Sequence, residues 1–173
     1  MQKWPWIERT FQFDFPASTF HEHLERLRGT PARIEDRIRG LPQAAVTRSD
    51  GKGWSIQENI GHLHDLEGLQ FVRIEQILAG QASMSAADMS NQTTQDADHN
   101  ARKIDELLSA FRHERERLVA RFEELDESDW EKSSLHPRLQ QPMRIVDLVC
   151  FNTQHDDYHL ARIGELVRTF ANC

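Results

Sequence analysis

An all-α four-helix bundle is the fold class this sequence predicts, on three observations. Apolar residues recur at helical spacing along four long stretches, glycine and proline punctuate those stretches, and no run of useful length alternates as a strand would. The 173 residues suffice for one domain, read as 1–173, and are few for two.

The first helical stretch covers residues 17–39, with Phe20, Leu24, Leu27, Ile34 and Ile38 on its apolar side. Gly29-Thr30-Pro31 interrupts it. Thr30 is expected to cap a new start with Pro31 at the first helical position, so a kink or break is predicted there. Residues 40–53 read as a loop. Ser55-Ile56-Gln57-Glu58 is a capping box, and the second helix runs from it to about Ala79, where Gly80 stops it. Ile56, Ile60, Leu63, Phe71, Ile74, Ile77 and Leu78 supply its apolar side. Residues 81–99 form a long polar connection. The third helix spans 101–125, marked by Ile104, Leu107, Leu108, Phe111, Leu118, Phe122 and Leu125. Its run from Arg112 to Arg117 alternates charge sign and reads as a solvated face with i, i+4 pairs. A second polar connection follows over 126–141, and Pro142 is expected to open the fourth helix, which reaches about Thr169.

Net charge is −7, from 21 basic and 28 acidic residues, a balance that disfavours nucleic acid and anionic membranes as partners. No run approaches the ~20 apolar residues that span a bilayer. The opening residues lack the apolar core of a signal peptide, so a cytoplasmic protein is expected. Two cysteines make no disulfide framework. Cys150 reads as a small core residue and Cys173 as a frayed terminus.

Chemistry concentrates in the histidines. His155 and His159 are four residues apart, one turn on one helical face, and two such imidazoles can grip one divalent ion. A third ligand must come from another helix, and His62 is the candidate. Three neutral imidazoles leave a coordination position for water or substrate, the arrangement of a catalytic site. His64 faces away from His62 and is set aside. Asp65, one turn beyond His62, either accepts a proton or orients a ligand, or is simply an exposed acid. Arg162 and Asn152 project near the pair. Arg162 either holds an anionic substrate group or pairs with Glu165 or Asp157. Trp54 reads as a core plug. His21, His23, His99 and His113 read as surface histidines, and His136 as a loop residue near the mouth of the site.

These residues also carry a resemblance. Trp54-Ser55-Ile56-Gln57-Glu58 leading into Gly61-His62-Leu63, and the run from Phe151 to Ile163 that contains His155-Asp156-Asp157-Tyr158-His159, are similar to the DinB-like four-helix-bundle superfamily. The branch resembled holds bacillithiol and mycothiol transferases and metal-dependent hydrolases. Arg9-Thr10-Phe11, Phe13-Asp14-Phe15-Pro16 and His136-Pro137-Arg138 match weaker parts of the pattern, and a usual threonine at the start of the last helix is replaced by Pro142-Met143. The resemblance implies a bundle of the DinB/YfiT-like type, with His62, His155 and His159 holding zinc or nickel, and a homodimer.

Two function classes follow. The first is a metal-dependent enzyme that transfers a low-molecular-weight thiol or hydrolyses a small molecule, with Asp65 and Arg162 as candidate catalytic groups. The second is a non-catalytic metal-binding or stress-associated dimer. Trp4, Trp6 and Ile7 are candidates for the dimer contact, or else cover the chain's own core.

Overall fold

The structure is a computed structural model that describes residues 4–170, so the expectation for Cys173 lies outside the described residues. The first stretch breaks into α1 (Phe20–Arg28) and α2 (Thr30–Ile38). A short α3 (Gln43–Val46) lies in the expected loop, ahead of α4 (Ile56–Leu78). α5 (Gln92–Asp96) and a 3₁₀ turn at His99–Ala101 punctuate the long connection to α6 (Ile104–Glu123). The short α7 (Glu127–Trp130) follows, then strands β1 (Ser133–His136) and β2 (Gln141–Arg144), then α8 (Ile145–Phe170).

Helix α4 packs against α6 and α8, and the α1/α2 pair packs against the same two. The broken helix therefore stands diagonally opposite α4, and α6 opposite α8. The links from α2 to α4 and from α6 to α8 must cross the bundle end, which gives those segments structural work beyond closing a loop. No helix among the described residues is long and apolar enough to cross a membrane.

The core is split. One apolar cluster gathers Phe20, Leu24, Leu27, Ile74, Ile77, Leu118, Phe122 and Leu148. The other gathers Ile34, Ile38, Ile60, Leu63, Leu107, Phe111, Leu160 and Ile163. Between them in every long helix lies a buried polar layer: Thr30, Glu67, Arg115 and Asp156. Arg115 donates from Nε and Nη2 to Glu67, as close as 2.6 Å, and from Nη1 to Asp156 Oδ2 at 2.5 Å. The reading of residues 112–117 as a wholly solvated face is therefore corrected at Arg115, which is 3% exposed.

The same layer explains the helix break. Pro31 has no N–H to give the carbonyl four residues back, that of Leu27. Arg115 Nη1 supplies that carbonyl with a donor at 3.0 Å. Thr30 is not the cap: it is the first residue of α2, and its hydroxyl donates to Asp156 Oδ2 at 2.6 Å.

The fourth helix starts later than expected. Pro142 sits in β2, opposite Leu135, in an antiparallel hairpin. Proline is tolerated because the N–H and C=O of Leu135 turn the other way, bonding Ala82 O at 3.0 Å and Met84 N at 3.1 Å. Asp147 then closes the start of α8 by accepting from Arg144 N at 2.8 Å.

Candidate metal centre

The capping box at the start of α4 is formed as expected, and its residues carry further duties. Ser55 Oγ accepts from Glu58 N, and Glu58 Oε2 accepts from Ser55 N at 2.8 Å. One turn into the helix, Asn59 Nδ2 donates to Ser55 O at 2.7 Å. Its Oδ1 is thereby turned inward and accepts from His159 Nδ1 at 2.8 Å. With its hydrogen on Nδ1, His159 presents Nε2 as a lone pair.

His62 is fixed by a longer chain. The Asp65 carboxylate can only accept, and its Oδ2 takes hydrogens from Thr94 Oγ1 at 2.9 Å and His99 Nε2 at 2.9 Å. Thr94 has spent its one hydrogen, so its oxygen accepts from His62 Nδ1 at 3.1 Å. His62 too is left with a lone pair on Nε2. On α8, Nε2 of His155 lies 3.2 Å from Nε2 of His159. Ligand nitrogens of His62, His155 and His159 all lie within 4.8 Å of one another. Three imidazoles converging with two tautomers fixed nitrogen-first is a donor set that fits one divalent cation.

Electrostatics favour the neutral, lone-pair form of His62 and His155. Burial pushes His62 down to about 4, with the nearby Asp65 charge only partly offsetting it. Burial, then the neighbouring His62 and Arg115, hold His155 well below the ordinary imidazole value. Burial alone would raise the Asp65 carboxyl, but hydrogen bonds from His64, His99 and Thr94 outweigh it and hold Asp65 far down, as a carboxylate.

The three histidines line a cavity of about 1130 Å³. Its walls near the ligands are aromatic: the Trp54 ring stands 4.7 Å from His62 and the Trp6 ring 4.9 Å from His155. Trp54 is thus a wall of the site rather than a core plug. Trp6 covers the chain's own interior, packing on Phe11 and Phe151, while Trp4 and Ile7 are exposed.

The other candidates divide. Asp65 orients His62 through Thr94 and points no oxygen at the ligand nitrogens. Arg162 lines the cavity with its fork already engaged, by Asp50 Oδ1 at 2.6 Å and Glu165 Oε2 at 3.5 Å. His64 lies outside the group of converging histidines and approaches Asp65 Oδ1 at 3.4 Å. Cys150 is a buried core residue. His99 is corrected from surface to interior, at 2% exposed. Its ring lies flat over Gly61, where any Cβ would collide with it. A helix-interior glycine marks close approach by another group, so Gly61 was the signal for His99. Thr94, inside a polar connection, had no such signal.

No curated protein matches the chain by sequence. Among solved structures, YfiT from Bacillus subtilis, a probable metal-dependent hydrolase with an unusual four-helix bundle topology, superposes with a TM-score of 0.80. The match covers 95% of this chain and 94% of that one at 17% identity. A mycothiol-dependent maleylpyruvate isomerase gives 0.69 at 16% identity, over 90% of this chain and 63% of the isomerase. A protein from Streptococcus pneumoniae gives 0.65 at 12% identity, over 95% and 93%. At such identities the likeness is one of fold. The sequence evidence is separate: the family model described as the DinB superfamily matches residues 26–163, a span that reaches from α1 into α8 and includes all three converging histidines, and on that match the chain belongs to the DinB superfamily.

Proposed function

We propose that this chain is a metal-dependent enzyme for small molecules, with His62, His155 and His159 holding one divalent ion, zinc or nickel, and with transfer of a low-molecular-weight thiol as its reaction. The carrying observation is the pair of tautomers: Asn59 and Thr94 accept from Nδ1 of His159 and His62, which leaves Nε2 of each as the lone-pair nitrogen. When bound, the cation supplies Lewis acidity and favours the ionised form of a thiol or water at its open position.

The chain's own residues do the rest. Asp65, acting through Thr94, keeps His62 in its ligating tautomer and is a positioning residue. Trp6 and Trp54 limit water at the ligands. Cys150 is no internal nucleophile, because burial raises its thiol and the hydrogen bond from Gln154 Nε2 to its sulfur offsets that only in part. The thiol must therefore enter with a substrate. A cavity of about 1130 Å³ admits two organic partners, which favours transfer over hydrolysis. Homodimers in the cytoplasm complete the reading, with exposed Trp4 and Ile7 as the contact.

Elemental analysis of the purified chain is expected to find one equivalent of zinc or nickel, lost in His159→Ala. Conjugation of small thiols to monochlorobimane should then require the metal and His155. Full metal occupancy in His159→Ala would refute the ligand set. Conjugation equal in metal-free protein would refute the reaction, and ester hydrolysis without conjugation would replace it.

A further inference from the structure

Beside the three histidines, one wall of the cavity is built from hydrogen-bond donors that have no acceptor. Arg73 is 2% exposed and spends only Nε, on Ser85 O at 3.0 Å. Arg138 donates from Nη1 to Ile7 O at 3.0 Å and to Arg9 O at 3.5 Å, while its Nη2 is buried with no partner. His136 accepts from Leu139 N at Nδ1, 3.2 Å away, so its hydrogen sits on Nε2, which is also buried and unpartnered. Asn152 Nδ2 is a third buried donor without an acceptor. All four residues line the same cavity as the histidines.

No carboxylate pairs with Arg73 or Arg138 among the described residues, although the chain is acidic overall. The acids that line the cavity are occupied: Asp50 binds Arg162, Asp88 accepts from Ser90 and Gln92, and Glu165 faces Arg162. Folding has therefore buried a guanidinium, and half-buried a second, without the counter-charge that such groups normally require. The two guanidinium groups line the same cavity, and their charges are felt there: Arg138 depresses Arg73 and both depress His136, after burial in each case. Arg138 is held among rings, 5.7 Å from Phe151 and 5.9 Å from Trp6, and Trp6 is the ring that touches His155. The missing counter-charge thus belongs next to the reactive centre.

We propose that Arg73, Arg138, His136 and Asn152 form a subsite for a carboxylate of the substrate, so that the enzyme acts on small organic acids whose reacting group then lies against His62, His155 and His159. Planar guanidinium forks match the planar carboxylate, and the imidazole N–H and amide N–H complete its acceptor positions. Gln70 Oε1, a buried acceptor on this wall with no partner, takes a hydroxyl or N–H of the same ligand. This reading rests on the proposed function for its reacting group, but the subsite exists without the metal and can be tested without it.

The test is calorimetric titration of the full-length His155→Ala chain, which removes a metal ligand and leaves the subsite. The probes are propionate, succinate and benzoate, their neutral amides, and inorganic phosphate. At least one acid is expected to bind below about 10 mM and at least about tenfold more tightly than its amide and than phosphate. Arg138→Gln, Arg73→Gln and Asn152→Asp should each weaken that acid at least about tenfold, with unchanged helical circular dichroism. Arg138 lies outside the helices, so its variant reports even where the Arg73 variant fails to fold. Equal binding of acid and amide, equal binding in Arg138→Gln, preference for phosphate, or no acid bound would each overturn the subsite. If the chain proves to hold no metal, the titration still stands, because it never involves one.

Discussion

Arg115 and Arg73 are both buried arginines facing the interior of one bundle, and they are treated in opposite ways. Arg115 has two carboxylates and a backbone carbonyl, and every part of its fork is used. Burial penalises its charge, but Asp156 and Glu67 more than restore it. Arg73 has one carbonyl and no acid, and burial, with Arg138 beside it, lowers it to about 10. The first arginine ties α1, α4, α6 and α8 together at the helix break. The second serves no such network. A satisfied buried charge holds a fold together, whereas an unsatisfied one on a cavity wall waits for a ligand.

Arg115→Met would break the first side of this contrast and should have the largest effect. It leaves Glu67 and Asp156 buried without a cation and strips the Leu27 carbonyl, a loss of about 3–5 kcal/mol by urea unfolding. Replacing Glu67, Arg115 and Asp156 together by apolar residues should cost far less, because no charge is left stranded. A loss under about 1 kcal/mol for Arg115→Met would mean that the layer is not holding the helices.

Acid should act on the site through His62. His62 titrates near 4 in the folded, metal-free chain against its ordinary 6.5. The unfolded chain therefore takes up this proton first as pH falls. The His62 contribution is full above 6.5, declines between 6.5 and 4, and levels off below, by an amount on the order of 3 kcal/mol, and His136 and His155 add to the slope in the same sense. Unfolding curves across that range should show the slope, and His62→Gln should reduce it. An unchanged slope in that variant would assign the loss elsewhere.

Gly61→Ala probes the supports of the site. The new methyl displaces the His99 ring, which releases Asp65 and, through Thr94, His62. About 1–3 kcal/mol of stability should be lost to overpacking, with metal affinity down roughly 10–100-fold by competition with a chelating dye. Wild-type affinity would show that the chain from His99 to His62 orients nothing.

Arg73→Met carries the smallest expected change and the most informative sign. It removes a buried cation with no counter-charge at the cost of one hydrogen bond, so the thermal midpoint should stay level or rise, within about 1 kcal/mol. A loss larger than that would place Arg73 with Arg115 as a structural residue, and the contrast would fail.

Much of this molecule was legible one turn at a time. The capping box at Ser55, the break before Pro31, the apolar stripes and the pair His155/His159 all depend on residues within four positions of each other, and the chain carries that information locally. The sequence by itself thus determined a helical bundle, and through its likeness to a family it pointed to His62 as third ligand. It did not determine the hairpin, whose first strand buries the polar Ser134 and His136, Ser134 being placed by a bond to Gln81 O rather than by apolar alternation.

Only the tertiary structure decided which polar residues are partners. Asn59 meets His159 across 100 residues, Thr94 meets Asp65 across 29, and Arg115 meets Asp156 across 41. His99 and Arg115 sit in highly polar stretches and look solvated, yet both are buried, because the environment of a polar side chain is set by what packs over it. Helix formation answers to neighbours along the chain. Satisfaction of a buried hydrogen bond answers to neighbours in space, and those are chosen when the helices assemble.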